Sequence, residues 1–179
     1  MLIENPLTIT NPSTGVIIDK ASRLQLVNKF FNDKDMNIGL SSFAQIDKMA
    51  QEVFCKKGFL KQRASFEEIL YYKYLIVVDG NTFASQLPWS LHSRSLVLMV
   101  PPAWESIIHG VTAWEHYVPL ASDFSDLKEK IEWCRLHDSQ CYGISRSATD
   151  LMRSHYSTQH EHMIQQLMIE RYAENFPSL

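Results

Sequence analysis

The sequence predicts an α/β fold, a Rossmann-like parallel sheet with helices on both faces, and three observations carry that prediction. Segments with helical and strand-like periodicity alternate along the chain, the run YLIVV at 74–78 has no polar face, and SLVLMV at 95–100 repeats that character after a short helical stretch. A strand apolar on both faces suits the interior of a parallel sheet. Strands alternating with helices imply right-handed crossovers that cover both sides of it.

Taken in order, KASRLQLVNKFFN at 20–32 carries Leu24, Val27, Phe30 and Phe31 at helical spacing, and MNIGLSS at 36–42 reads as a short strand. Helices are expected over 42–56 and 66–73. The second opens with Ser65 and has Glu68 three residues on, the pattern of a capping box. It leads into YLIVV, expected to be the most buried strand. A helix over 85–92, a strand at 95–100, a short helix at 103–109 and a strand at 116–120 follow. Asp123 is expected to open another helix, with Asp126 in its first turn and with Phe124, Leu127, Ile131 and Cys134 on one apolar face. Helices near 140–154 and 157–175 end the series, and the Met and Leu residues of MIQQLMIERY are expected to form the buried face of the last.

At 179 residues, with no repeats and no Pro/Gly-rich linker, the chain is expected to form one domain over 1–179, with 1–12 a poorly defined segment and 156–175 a closing helix. Hydrophobic residues make up 45% and charged residues 21%, as in ordinary globular proteins. A formal net charge of −3 leaves no basic footprint for nucleic acid. No apolar run is long enough to span a bilayer. The opening MLIENPLTIT lacks the basic start and apolar stretch of a signal peptide, which predicts a cytoplasmic, possibly membrane-peripheral location. An endoplasmic reticulum or Golgi lumen becomes the expectation if the chain is a fragment of a secretory-pathway protein. Cys55, Cys134 and Cys141 are too irregularly spaced for a disulfide framework or a zinc site and are expected to be buried thiols, with Cys134 and Cys141 able to pair only in an oxidising compartment.

In open parallel sheets ligands bind where strands end and loops lead into helices. Asp79, Gly80 and Asn81 stand directly after YLIVV. Gly80 allows close backbone approach, and Ser85 could cap the following helix or bond a phosphate oxygen. By local pattern alone this DGN stretch is equally a plain turn. Glu105 could accept from a ribose or sugar hydroxyl or could simply be solvated, and Arg94 could meet phosphate or sit on the surface. Trp114, Glu115, His116 and Tyr117 combine aromatic rings with polar tips, although Trp114 and Tyr117 also suit core packing. His160 and His162 are two residues apart and do not share a helix face, and His155 and His162 are two turns apart, so no metal is expected.

Read together, KYLIVVDGNTFASQLPWSLHSRSLVLM, PPAWESIIHG and AWEHYVPLASDFSDLKEKIEWC resemble glycosyltransferase family 90. STG at 13–15, SRLQLV at 22–27, NIGLSSFAQ at 37–45 and FEEILYYKYL at 66–75 extend the resemblance over most of the chain. The family contains protein O-glucosyltransferases and O-xylosyltransferases, capsule-associated xylosyltransferases and lipopolysaccharide-modifying enzymes. The resemblance implies the C-terminal, donor-binding half of a two-lobed GT-B enzyme. It implies that Thr14, Gly15, Asp79, Gly80, Asn81, Ser85, Arg94 and Glu105 line a nucleotide-sugar site, with UDP-glucose or UDP-xylose as donor substrate, no cofactor and no metal. The implied acceptor is a hydroxyl on a glycan, lipopolysaccharide or protein. The catalytic Asp, a general base, belongs to the other half and is expected on a separate N-terminal acceptor domain or companion chain.

Two departures stand out. Gln86 occupies the place of an Arg that binds diphosphate in the animal enzymes, and Asn11 and Pro12 precede STG where an Arg commonly stands. The nearest cations in sequence are Lys73 and Arg94. A rival expectation is therefore a truncated or degenerate, non-catalytic domain that binds a nucleotide or a partner. An unrelated dinucleotide binder is disfavoured, since no G-x-G-x-x-G follows any strand.

Overall fold

The computed structural model describes residues 9–10, 17–18, 22–42, 48–79, 84–102 and 110–176. Two short strands, β1 (Ile9–Thr10) and β2 (Ile17–Ile18), pair antiparallel. They are followed by α1 (Ser22–Phe30), α2 (Lys48–Lys56), α3 (Phe66–Leu70), β3 (Tyr74–Val77), α4 (Leu87–His92), β4 (Leu96–Met99), β5 (Val118–Pro119), α5 (Leu127–Leu136), α6 (Asp138–His155) and α7 (Thr158–Asn175). The fold is α/β and Rossmann-like, with a parallel sheet in the order β3-β4-β5 flanked by helices. Tyr74 pairs with Leu96 and Val77 with Met99, while Leu98 pairs with Val118.

Side chains of a strand alternate between the two faces of a sheet. Leu96 and Leu98 therefore enter one core, packed with α1 (Leu24, Val27, Phe30), Phe54 of α2 and Leu127 and Cys134 of α5. Val97 and Met99 enter the other, with Leu87 and Leu91 of α4 and Ala148 and Met152 of α6. α6 contributes to both, through Cys141 and Ile144 on one side and Ala148 and Met152 on the other. All four residues of β4 are buried, whereas Tyr74 and Ile76 of β3 are only partly so. The most buried strand is thus LVLM and not YLIVV, because β4 has a strand on each side and β3 has one among the described residues.

The capping box forms as expected: Ser65 Oγ accepts from the Glu68 amide, and Glu68 Oε2 accepts from the Ser65 amide. α2 ends in a Schellman turn. Gly58 takes a left-handed φ of 71°, its amide donates to the Cys55 carbonyl, and the Phe59 amide donates to the Phe54 carbonyl. The Phe54 and Phe59 rings then pack 6.1 Å apart across the turn. This turn directs the chain back past Leu40, which meets Leu60 in a single parallel bridge. The strand expected at 36–42 is reduced to that one contact.

Other expectations give way to packing. The helix expected from Asp123 starts at Leu127, because Phe124 takes a left-handed φ of 58° that puts its ring wholly in the core. Asp126 Oδ1 accepts from the Ala121 amide instead of capping the helix. Cys134 and Cys141 are buried free thiols, with Cys141 Sγ directed at the Cys134 carbonyl at 3.6 Å, but Cys55 is exposed. No residue of α7 is buried. The buried face expected for MIQQLMIERY is therefore absent among the described residues, where α7 packs chiefly against α6. The helix expected at 103–109 lies outside the described residues. No helix among the described residues is long and apolar enough to cross a membrane.

Candidate functional site

The parallel register puts the ends of β3, β4 and β5 together at one edge of the sheet, followed respectively by Val78-Asp79, Val100-Pro101-Pro102 and Leu120-Ala121. Asp79 is half-buried there. Its Oδ1 accepts from the amide of Ala84 at 3.1 Å, closing the loop between β3 and α4. Ala84 is buried, so the carboxylate satisfies a donor that water does not readily reach. The DGN stretch thus begins with a residue bonded to the chain five positions on.

Gln86 also ties this corner together. Its Nε2 donates to the Ile76 carbonyl at 3.2 Å, joining the start of α4 to the edge of β3. Gln86 is the N-cap of α4, without a side-chain capping bond, and Pro88 in the first turn has no N–H to satisfy. Ser85 is exposed and lies one residue before the cap, so it is not the N-cap that its sequence position suggested.

One cation reaches this edge that the sequence reading did not single out. Arg23, from the first turn of α1, donates through Nη2 to the Val78 carbonyl at 3.3 Å, next to Asp79. A guanidinium carries five N–H donors in a rigid fork, and this contact uses one. Arg23 faces solvent while Leu24 and Val27 enter the core, so helical periodicity does distinguish it as lying off the apolar face. Nothing in periodicity says which strand end it will meet.

Arg94 is elsewhere. It precedes β4, and since Leu96 pairs with Tyr74 it stands at the opposite end of the sheet from Asp79. There, with a left-handed φ of 67°, it borders a small cavity beside Lys73, Tyr74, Asp138 and Tyr142, where Lys73 pairs with Asp138. Thr14, Gly15, Gly80, Asn81 and Glu105 lie outside the described residues. Asp79 and Ser85 are therefore brought to one corner, and Arg94 is not.

The WEHY segment is divided, with His116 and Tyr117 buried and Trp114 and Glu115 exposed. Tyr117 is buried, and burial raises its phenol above the ordinary range. His116 is buried too, its Nδ1 accepting from the Thr112 amide at 3.0 Å. Trp114 is 45% exposed and outside the core. It sits edge-on to Trp133 with Lys130 Nζ 4.7 Å from its ring centre. Among the described residues no group of three His, Cys, Asp or Glu is placed to hold a metal ion.

Comparison with known proteins matches residues 18–177 to the family described as Glycosyl transferase family 90. The chain is 33% identical over 118 residues to "Protein O-glucosyltransferase 2" of Danio rerio, covering 65% of this chain and 24% of that protein. It is 30% identical over 142 residues to "Protein O-glucosyltransferase 3" of Homo sapiens, covering 76% of this chain and 27% of the relative. A bacterial relative, "O-glucosyltransferase LpsA" of Dichelobacter nodosus, is 30% identical over 118 residues, covering 65% of this chain and 37% of its own. The chain spans a quarter to just over a third of the length of these relatives.

Proposed function

The chain belongs to glycosyl transferase family 90, and on that premise we propose that it binds the donor nucleotide sugar, a UDP-hexose or UDP-pentose, at the carboxyl edge of its sheet. The observation that carries this reading is the Arg23 guanidinium docked on the Val78 carbonyl beside Asp79, where β3 leaves the sheet. It supplies a positive charge at the strand-end position where open α/β sheets hold ligands, and its remaining donors suit the oxygens of a diphosphate. The names of three relatives make UDP-glucose the first donor to test.

In the complete reaction an acceptor hydroxyl oxygen forms a bond to the anomeric carbon as the bond from that carbon to the diphosphate oxygen breaks. The leaving oxygen takes the electron pair, and the hydroxyl proton passes to a base. Arg23 would stabilise the charge that grows on the leaving diphosphate. No residue of this chain is assigned as the base. The acceptor, a hydroxyl on a glycan, lipopolysaccharide or protein, would be bound by a further domain or companion chain.

A non-catalytic nucleotide-binding role is the second reading, favoured by Gln86, whose amide is engaged with Ile76 and lacks the charge of an Arg. Calorimetric titration with UDP, UDP-glucose and UDP-xylose tests both. Saturable binding that Arg23→Ala weakens about tenfold or more is expected, the loss of a charge-assisted contact. Absence of binding by the folded chain to all three would refute the donor site. Unchanged affinity in Arg23→Ala would remove Arg23 from it.

A further inference from the structure

A second cavity, open to solvent, lies at the opposite end of β3 from Asp79, with a volume of about 350 Å³ and walls of exposed side chains that include Asn37, Gln62, Arg63, Glu68, Tyr71 and Tyr72. We propose that it binds a neutral saccharide, a site separate from the nucleotide-sugar edge. Its size falls within the roughly 300–1,000 Å³ of small-ligand pockets. Its chemistry is more telling than its size. Two phenol rings, two primary amides, one guanidinium and one carboxylate offer both donors and acceptors while the two charges cancel. A pyranose has the complementary surface, with hydroxyls around its rim and apolar C–H faces that pack on aromatic rings.

Several of these groups are held in place by bonds that leave their remaining capacity free. Asn37 Nδ2 donates to the Tyr72 hydroxyl at 2.7 Å, and Asn37 Oδ1 accepts from Lys61 Nζ at 3.0 Å. Tyr72 therefore accepts from Asn37 and keeps its own hydroxyl hydrogen to donate. Glu68 is oriented by the capping box, which uses Oε2 and leaves the other carboxylate oxygen. Such preorganisation lowers the ordering cost of binding. Tyr71, the C-cap of α3, is 89% exposed, more than any other large hydrophobic side chain among the described residues. A ring so displayed beside a polar cavity is a platform without an internal packing role. Arg63 and Glu68 bring one charge of each sign to the wall, and the nearby Lys61 ammonium is engaged with Asn37 Oδ1.

The parallel register separates this site from Asp79 by the length of the sheet, so a saccharide bound here is not the donor sugar. It suits a more distant part of a glycan acceptor or product. The proposal rests on the cavity's own chemistry, and its fate is separable from that of the donor site.

The test is an amide NMR titration of the whole chain with maltotriose and xylotriose, each with and without saturating UDP, and with glucuronate as an anionic probe. Saturable shifts at 37, 62–63 and 68–72 are expected with a neutral trisaccharide, unchanged by UDP. Tyr71→Ala should weaken them about five- to tenfold, the size of one aromatic contact. Being a surface change, this variant keeps the fold, and Arg63→Ala provides an independent loss. Absence of saturable shifts with both trisaccharides would overturn the proposal, as would full affinity in both variants, competition by UDP, or tighter binding of glucuronate.

Discussion

Asp79→Ala tests whether the first residue of the DGN stretch shapes its loop. In the native protein the carboxylate accepts from the amide of Ala84, which is 1% exposed. Truncation leaves that buried donor without its acceptor, an effect of about 1–3 kcal/mol. Asp79 is itself half-exposed, and water can enter where the side chain was, so the lower half of that range, about 1–2 kcal/mol, is expected. For a chain of this length that corresponds to a fall in melting temperature of about 3–6 °C. Asp79→Asn keeps an oxygen in place and should lose about half as much. A loss confined to the Ala84 amide escapes global unfolding, so urea denaturation should be paired with hydrogen exchange at that amide, which speeds up about tenfold for each 1.4 kcal/mol lost locally. Unchanged denaturation and unchanged exchange in Asp79→Ala would refute the loop-closing role.

Three further predictions concern the core and the thiols. Leu98 is fully buried at the centre of β4, so Leu98→Ala should lower unfolding free energy by about 2–5 kcal/mol in urea denaturation, and a loss under about 1 kcal/mol would contradict the sheet's packing. Among the thiols, a disulfide-exchange reagent at mildly alkaline pH should modify Cys55 in the native protein and reach Cys134 and Cys141 only after denaturation. Burial pushes the Cys134 thiol up to about 12 from an ordinary value of 9.0 and also raises Cys141. The neutral thiol is therefore the form the fold favours. Its contribution is complete below pH 9.0 and is lost as pH rises from there toward about 12, because the unfolded chain ionises first. Unfolding free energies from urea denaturation at pH 8 and upward should fall, by about 1.4 kcal/mol per pH unit for each fully titrating thiol, and less steeply in Cys134→Ala. A flat profile would contradict the burial.

Much of the architecture is local enough to read from the chain. Ser65 and Glu68 form their capping box within four residues, and the apolar spacing of Leu24, Val27 and Phe30 places α1 on the sheet. Gly58 stops α2 through a left-handed turn that its sequence neighbours complete. The family is also legible, because block order and spacing survive in the sequence whatever the fold does with them. Errors arise where long-range packing decides. YLIVV and LVLM look alike in composition, and only strand order makes the second the centre. Phe124 and α7 show the same limit in opposite senses: a buried ring forces an unfavourable backbone region, while the Met and Leu residues of α7 stay unburied among the described residues.

The candidate site divides along the same line. By itself the sequence determined that a loop with Asp79 follows a sheet strand and that the chain carries the blocks of a glycosyltransferase family. Only the tertiary structure decided which cation stands beside that loop. Arg94 is closer in sequence, but a parallel strand must return to its starting end before it runs again, and this puts Arg94 at the far edge of the sheet. Arg23 is more than fifty residues away along the chain and touches the strand end directly. Distance along a chain and distance across a sheet are independent once crossovers intervene.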